Sequence, residues 1–220
     1  MAATYDCSAP TELLTGMRLA RAALARGELV VLPTDTVYGV AADAFDPKAV
    51  QRLLDAKGRT RQSPPPVLIP GLPTLDALAT DIPEIVRALV AEFWPGGLTV
   101  ILQATPSLAW DLGETGGTVA LRMPDDPIAL ELLAETGPLA VSSANLTGQP
   151  AATTAAEALG MLGDSISVYL DGGARPEATA STIVDATAPD GTLVIVRHGA
   201  VPAERIREIA GDLLRPDSGA

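Results

Sequence analysis

Along this chain, apolar positions at helical spacing alternate with short unbroken apolar runs of strand type. Leu13, Leu14, Met17 and Ala20 predict a helix over 11–26 that Gly27 can close. Leu29-Val30-Val31-Leu32 reads as a strand ended by Pro33, which cannot donate to a ladder. Asp46-Pro47 opens a helix through Ala56, with Val50, Leu53 and Leu54 on one face and Pro47 suited to its first position. A polar, proline-rich loop over 57–66 leads into the short strand 67–69. Asp81 is expected to cap a helix over 82–93, whose core stripe is Ile85, Val86, Leu89 and Val90. Trp94-Pro95-Gly96-Gly97 breaks that helix before a strand at 98–102.

The second half repeats the mixture. A strand at 118–123 precedes a helix at 127–136, and Leu139-Ala140-Val141 is a further short strand. An alanine-rich helix covers about 154–162, three strands follow at 166–170, 181–186 and 192–197, and a last helix lies near 202–214. The final few residues are expected to fray. Because 98–102 and 118–123, and again 181–186 and 192–197, have no helix between them, strict βαβ alternation is excluded. The expected fold is α+β (mixed α/β): one domain over 1–220 with its core at about 11–212, a twisted open mixed sheet with helices on both faces.

Composition narrows the function. At 220 residues and 47% hydrophobic content the chain can bury one sizeable core and is not generally disordered. No apolar run approaches the roughly 18 residues of a membrane span. The first residues show neither a basic nor an apolar signal region, which makes the cytoplasm the expected compartment. Cys7 is the sole cysteine and His198 the sole histidine, so neither a disulfide nor a transition-metal site is expected. A formal net charge of −12 argues against general nucleic-acid binding, and 3% aromatic residues leave little for base stacking.

Candidate chemistry therefore rests on scarce cations and small polar groups at strand ends. Pro33-Thr34-Asp35-Thr36-Val37-Tyr38-Gly39 leaves the first apolar strand as a cluster of hydroxyls, with Gly39 free to turn. Lys57 and Arg59 sit two apart just past a helix. Arg122 interrupts an apolar strand, where an unpaired cation would be costly. Arg197 ends another strand, Ser143 and Asn145 leave a third, and Ser181 begins a fourth. Taken singly, a strand-end arginine is usually half of an ion pair and a Ser-Asn loop usually a turn or cap. Together they describe a cleft for an anionic ligand, with no nucleophile or base in view. Such a site suits nucleotidyl or phosphoryl transfer with magnesium, driven by positioning and electrostatics.

These motifs, in this order, resemble the YrdC-like L-threonylcarbamoyladenylate synthases. The likeness runs from about residue 18 to 210, through 33–39, 57–59, 93–99, 119–124, 143–148, 181–185 and 197–199. It implies a YrdC-like fold in its short, single-domain form. The implied reaction joins L-threonine, bicarbonate or CO2 and ATP, with Mg2+, into threonylcarbamoyl-AMP and pyrophosphate for tRNA modification by separate transferase machinery. It also implies roles residue by residue. Lys57, Arg59, Ser143 and Asn145 match the set that contacts the nucleotide. Ser63, Thr118 and Arg197 match further ATP positions, while Thr36, Arg122, Val141 (through its backbone) and Ser181 match positions around threonine. Magnesium would arrive with ATP, not on protein side chains. Asp35 is left a structural or capping role. Many members carry Asn-Pro-Leu after the Lys-x-Arg and a His soon after. Here Ser63-Pro64-Pro65-Pro66-Val67-Leu68 stands instead, and Ala151 replaces a common Ser. The alternative is an RNA-binding YrdC-like module with a weak tRNA contact and no synthesis.

Overall fold

Among the described residues, every strand joins a single sheet. The structure, a computed structural model, describes residues 2–175 and 179–216, so the expected fraying of the last residues lies outside the described residues. The strands are β1 (Ala3–Asp6), β2 (Val30–Leu32), β3 (Gly39–Asp43), β4 (Val67–Leu68), β5 (Ala79–Thr80), β6 (Leu98–Ala104), β7 (Thr118–Arg122), β8 (Leu139–Ser143), β9 (Val168–Asp171), β10 (Thr182–Asp185) and β11 (Val194–Arg197). Their spatial order is β1-β9-β2-β3-β8-β4-β7-β6-β10-β11, with β5 on the side of β6. The helices are α1 (Pro10–Ala25), α2 (Pro47–Lys57), α3 (Leu72–Leu78), α4 (Glu84–Phe93), α5 (Pro127–Thr136), α6 (Ala155–Leu162) and α7 (Ala203–Ala210). Parallel and antiparallel pairs are mixed, as expected.

Side-chain alternation along the strands divides the core into three clusters. Val67, Leu121, Val100 and Val184 occupy neighbouring register positions and pack under α3, α4 and α7. Val31, Val40 and Ala42 continue that face beneath α2 and α6, and α2 joins the two clusters through Val50 on one side and Leu53 on the other. The opposite face is covered only over its first half, where α1 and α5 bury Val30, Ala41, Leu139 and Val141. Helices therefore lie on both faces, but not along the whole sheet. The outer face of β7, β6, β10 and β11 is left without a helix.

Several elements were not legible in the sequence. β1, α3 and β5 are short, and β3 starts at the last residue of the 33–39 motif, which reads as a turn. Gly39 does not turn; it starts β3, paired with Ser143 of β8. Its missing side chain has a different use, since a β-carbon there would lie 2.6 Å from Val141 Cγ1. Asp81 is not the cap of α4. It adopts a left-handed conformation (φ 52°), and the helix starts at Glu84 behind Pro83, whose fixed φ suits the entry. Asp46 and Asp126 do cap α2 and α5, accepting from the backbone N–H of Lys48 and of Ile128 and Ala129.

The Gly39 contact is testable. Gly39→Ala should lower stability by about 1–3 kcal/mol through overpacking, read as a shifted denaturant midpoint. Adding Val141→Ala should recover most of that loss. A double variant whose loss equals the sum of the single losses would place the strain elsewhere.

Candidate active site

The uncovered half-sheet is the floor of a cleft of about 260 Å³. Thr118, Ala120 and Arg122 of β7, with Thr99 and Ile101 of β6, are the alternate residues facing it, while Leu98, Val100, Leu102, Val119 and Leu121 point to the core. Pro64, Pro65 and Pro66 form one wall, and the β2–β3 connection another.

Arg122 organises that second wall. Its guanidinium donates to Asp35 Oδ1 at 2.5 Å, to Thr36 Oγ1 at 2.9 Å and to the Gly96 carbonyl at 2.9 Å. Burial pushes its pKa down, while Asp35 pulls the other way. The costly unpaired cation of the sequence is thus paired. The same carboxylate oxygen accepts the Asp125 N–H at 3.0 Å, so Asp35 is a structural tie. Thr36 accepts from Arg122, which leaves its own proton for Thr34 Oγ1 at 3.0 Å, and Thr34 donates onward to the Val37 carbonyl at 2.7 Å. One Thr36 lone pair remains for a ligand donor.

At the far end a β-bulge shapes the edge. Ile183 pairs with Arg197 and Val184 with Ile195, so Val196 is the extra residue, and consecutive Val196 and Arg197 both line the cleft. Arg197 donates to the Ser181 carbonyl and to Ser181 Oγ at 2.9 Å, and Ser181 Oγ in turn meets Thr99 Oγ1 at 2.7 Å. Burial, then Arg122, then Arg59 lower the Arg197 pKa, which registers three guanidiniums close enough to repel. Among the described residues, the Arg59 guanidinium donates to the Ser142 hydroxyl alone, at 3.1 Å. Among the described residues, none of those lining the cleft is an Asp or Glu.

Lys57 lies elsewhere. Helix α2 ends at Gly58 in the left-handed conformation, which turns Arg59 toward the cleft while Lys57 stays on the buried face. Its ammonium donates to the Asn145 carbonyl at 2.6 Å and to the Ser143 carbonyl, and its own carbonyl accepts the N–H and hydroxyl of Thr147. Asn145 is also turned inward. Its amide donates to the Leu146 and Gln149 carbonyls, and its Oδ1 is buried without a partner.

Of the residues singled out in the sequence, Thr36, Arg59, Thr118, Arg122, Val141, Ser143, Ser181 and Arg197 come together around the cleft. Lys57, Asn145 and the exposed Ser63 do not line it. Thr34, Thr99, Ser142 and Ile183 line it without having been picked out. Thr99 was legible as the one hydroxyl in an apolar strand; Ile183 was not, because a cleft-facing isoleucine reads as core.

A family model described as Sua5/YciO/YrdC, telomere recombination, matches residues 22–199. The chain belongs to the Sua5/YciO/YrdC family. A Mycobacterium tuberculosis member with the provisional name threonylcarbamoyl-AMP synthase is 48% identical over 96% of each chain. The Bacillus subtilis threonylcarbamoyl-AMP synthase is 39% identical over 88% of this chain and 56% of its own. The solved structure of Pyrococcus abyssi Sua5 complexed with L-threonine superposes with a TM-score of 0.88 at 33% identity. It matches 98% of this chain, which spans 63% of the P. abyssi chain. The mixed sheet and its helices are thus those of the family.

Burial, then the Arg59 guanidinium, push the Lys57 ammonium down to about 8. Between that value and the ordinary lysine pKa of about 10.4 the unfolded chain binds more protons than the folded one, so this group makes stability rise with pH. Denaturant midpoints of the wild type and Lys57→Met, compared from about pH 7 to 10, should diverge in favour of the wild type as pH rises. A constant or shrinking difference would contradict a desolvated ammonium.

Proposed function

We propose that the cleft joins L-threonine, bicarbonate and the α-phosphate of ATP into threonylcarbamoyl-AMP. Relatives along nearly the whole chain bear the threonylcarbamoyl-AMP synthase name, and this chain is an enzyme of that ATP-using, tRNA-modifying class. The observation that carries the reading is the convergence of Arg59, Arg122 and Arg197 on a cleft lined by no carboxylate among the described residues. Two anionic substrates would there meet Arg122, paired with Asp35, and Arg59 and Arg197, which meet no carboxylate among the described residues.

The roles follow from what each group has left to give. Arg122 uses three of its five N–H donors on the protein. The other two can fork to the threonine carboxylate. The free Thr36 lone pair suits the threonine amine. That amine adds to CO2, or to bicarbonate with loss of water, and gives a carbamate. A carbamate oxygen then attacks the α-phosphorus and pyrophosphate leaves. Arg59 and Arg197 face the triphosphate, whose charge they offset, with Ser143 and Thr118 orienting it. Lys57 and Asn145 act behind the surface, holding the loop that carries Ser143. Among the described residues no carboxylate lines the cleft, and we take magnesium to enter as part of its ATP complex. The product is an activated mixed anhydride, and a separate tRNA transferase must consume it. We place the enzyme in the cytoplasm, in keeping with the tRNA-modifying class of its relatives; separately, no described helix is long and apolar enough to cross a membrane.

Purified protein with ATP, magnesium, bicarbonate and L-threonine should release pyrophosphate and form the acyl-adenylate, read by mass spectrometry. No threonine-dependent product would overturn the reading. Arg59→Ala should cost about 100-fold or more in turnover, as loss of a donor to developing charge does. Arg122→Lys keeps the charge but not the fork, and should raise the threonine KM about tenfold while leaving the ATP KM within about twofold. A selective rise in the ATP KM would mean the two pockets are reversed.

A further inference from the structure

The β6–β7 connection, residues 105–117, and the segment after α2 both wall the cleft, the first through Leu112 and Thr115 and the second through Pro64, Pro65 and Pro66. They are fastened together at one residue. Arg61 accepts the Glu114 N–H on its carbonyl at 2.8 Å, and its guanidinium holds Asp111 Oδ1 at 2.6 Å. That oxygen also accepts the Gly113 N–H at 3.1 Å. The backbones approach so closely that a β-carbon on Gly113 (φ 109°) would lie 2.6 Å from the Arg61 carbonyl oxygen. Trp110 anchors the connection by stacking on Phe45 with ring centroids 5.5 Å apart, and the buried Leu112 reaches the core.

We propose that Arg61 is a positioning residue for the nucleotide. It latches the segment bearing Arg59 to the connection bearing Thr115, and so fixes the spacing between Arg59 and Thr118. Thr118 is tied into the same unit, since its hydroxyl donates to the Thr115 carbonyl at 2.8 Å. Arg61 itself does not line the cleft and its side chain is 44% exposed, so it acts through its neighbours. The inference rests on the synthase reading. An exposed ion pair adds little to folding, which separates this role from a purely structural one.

The test varies ATP and threonine separately in the synthase assay and measures ATP affinity by calorimetry. Arg61→Ala and Asp111→Asn should each raise the ATP KM and Kd about five- to tenfold at an unchanged threonine KM. The double variant should be no worse than either single one, and Arg61→Lys should recover part of the loss. Melting temperatures should stay within about 2 °C of the wild type. An unchanged ATP KM and Kd, an equal rise in the threonine KM, or additive effects would overturn the latch. A wild type without threonine-dependent product would instead sink the synthase reading, and the calorimetric arm would still decide on the latch.

Discussion

The structure depends on a charge placed where a charge is expensive. Arg122 lies in a central strand, and its guanidinium can stay there only because two separate segments turn three oxygens toward it: Asp35 and Thr36 from the β2–β3 connection and Gly96 from the turn after α4. One side chain thus sets how the wall of the cleft meets its floor. Removing its partners would leave an uncompensated buried cation, so the wall and the floor are energetically a single piece. The order Pro33-Thr34-Asp35-Thr36 makes sense in this light. The threonines relay a hydroxyl proton away from the arginine, and the aspartate supplies most of its counter-charge.

Around that point the helices are unevenly distributed. One sheet face is covered over most of its strands, while on the other α1 and α5 stop short and leave β7, β6, β10 and β11 bare. A bare half-sheet in a chain of net charge −12 could have been an acidic surface. Instead it carries hydroxyls, aliphatic residues and two arginines, which Arg59 joins from the end of α2. The bulge at Val196 aims Arg197 inward, and the left-handed Gly58 frees Arg59 from the axis of α2. Arg122 and Arg59 are thereby brought close enough to Arg197 to lower its pKa, an arrangement that a bound polyanion relieves.

Much of this was legible in the sequence, for particular reasons. Apolar runs ending in Pro33, Arg122 and Arg197 marked both the strands and the groups that leave them. The coincidence of hydroxyls and cations at those ends pointed to an anion cleft before any geometry was known. β3 was missed because Gly39 reads as a turn residue, whereas its small size serves a close strand crossing with Val141. Lys57 was grouped with Arg59 because the two are neighbours in sequence, yet the helix end separates them into a buried clasp and a cleft cation. Ile101, Ile183 and Val196 could not be recognised as cleft residues, since periodicity does not say which sheet face a helix will leave uncovered.

In the proposed reaction the cleft's arginines divide the substrates between them. A crystal structure with L-threonine and a non-hydrolysable ATP analogue would show the division. The threonine carboxylate should sit on Arg122 beside Thr36, and the phosphates between Arg59 and Arg197 with Lys57 still bound to the Ser143 and Asn145 carbonyls. Phosphates seated on Arg122, or Lys57 released from its loop to grip them, would contradict it.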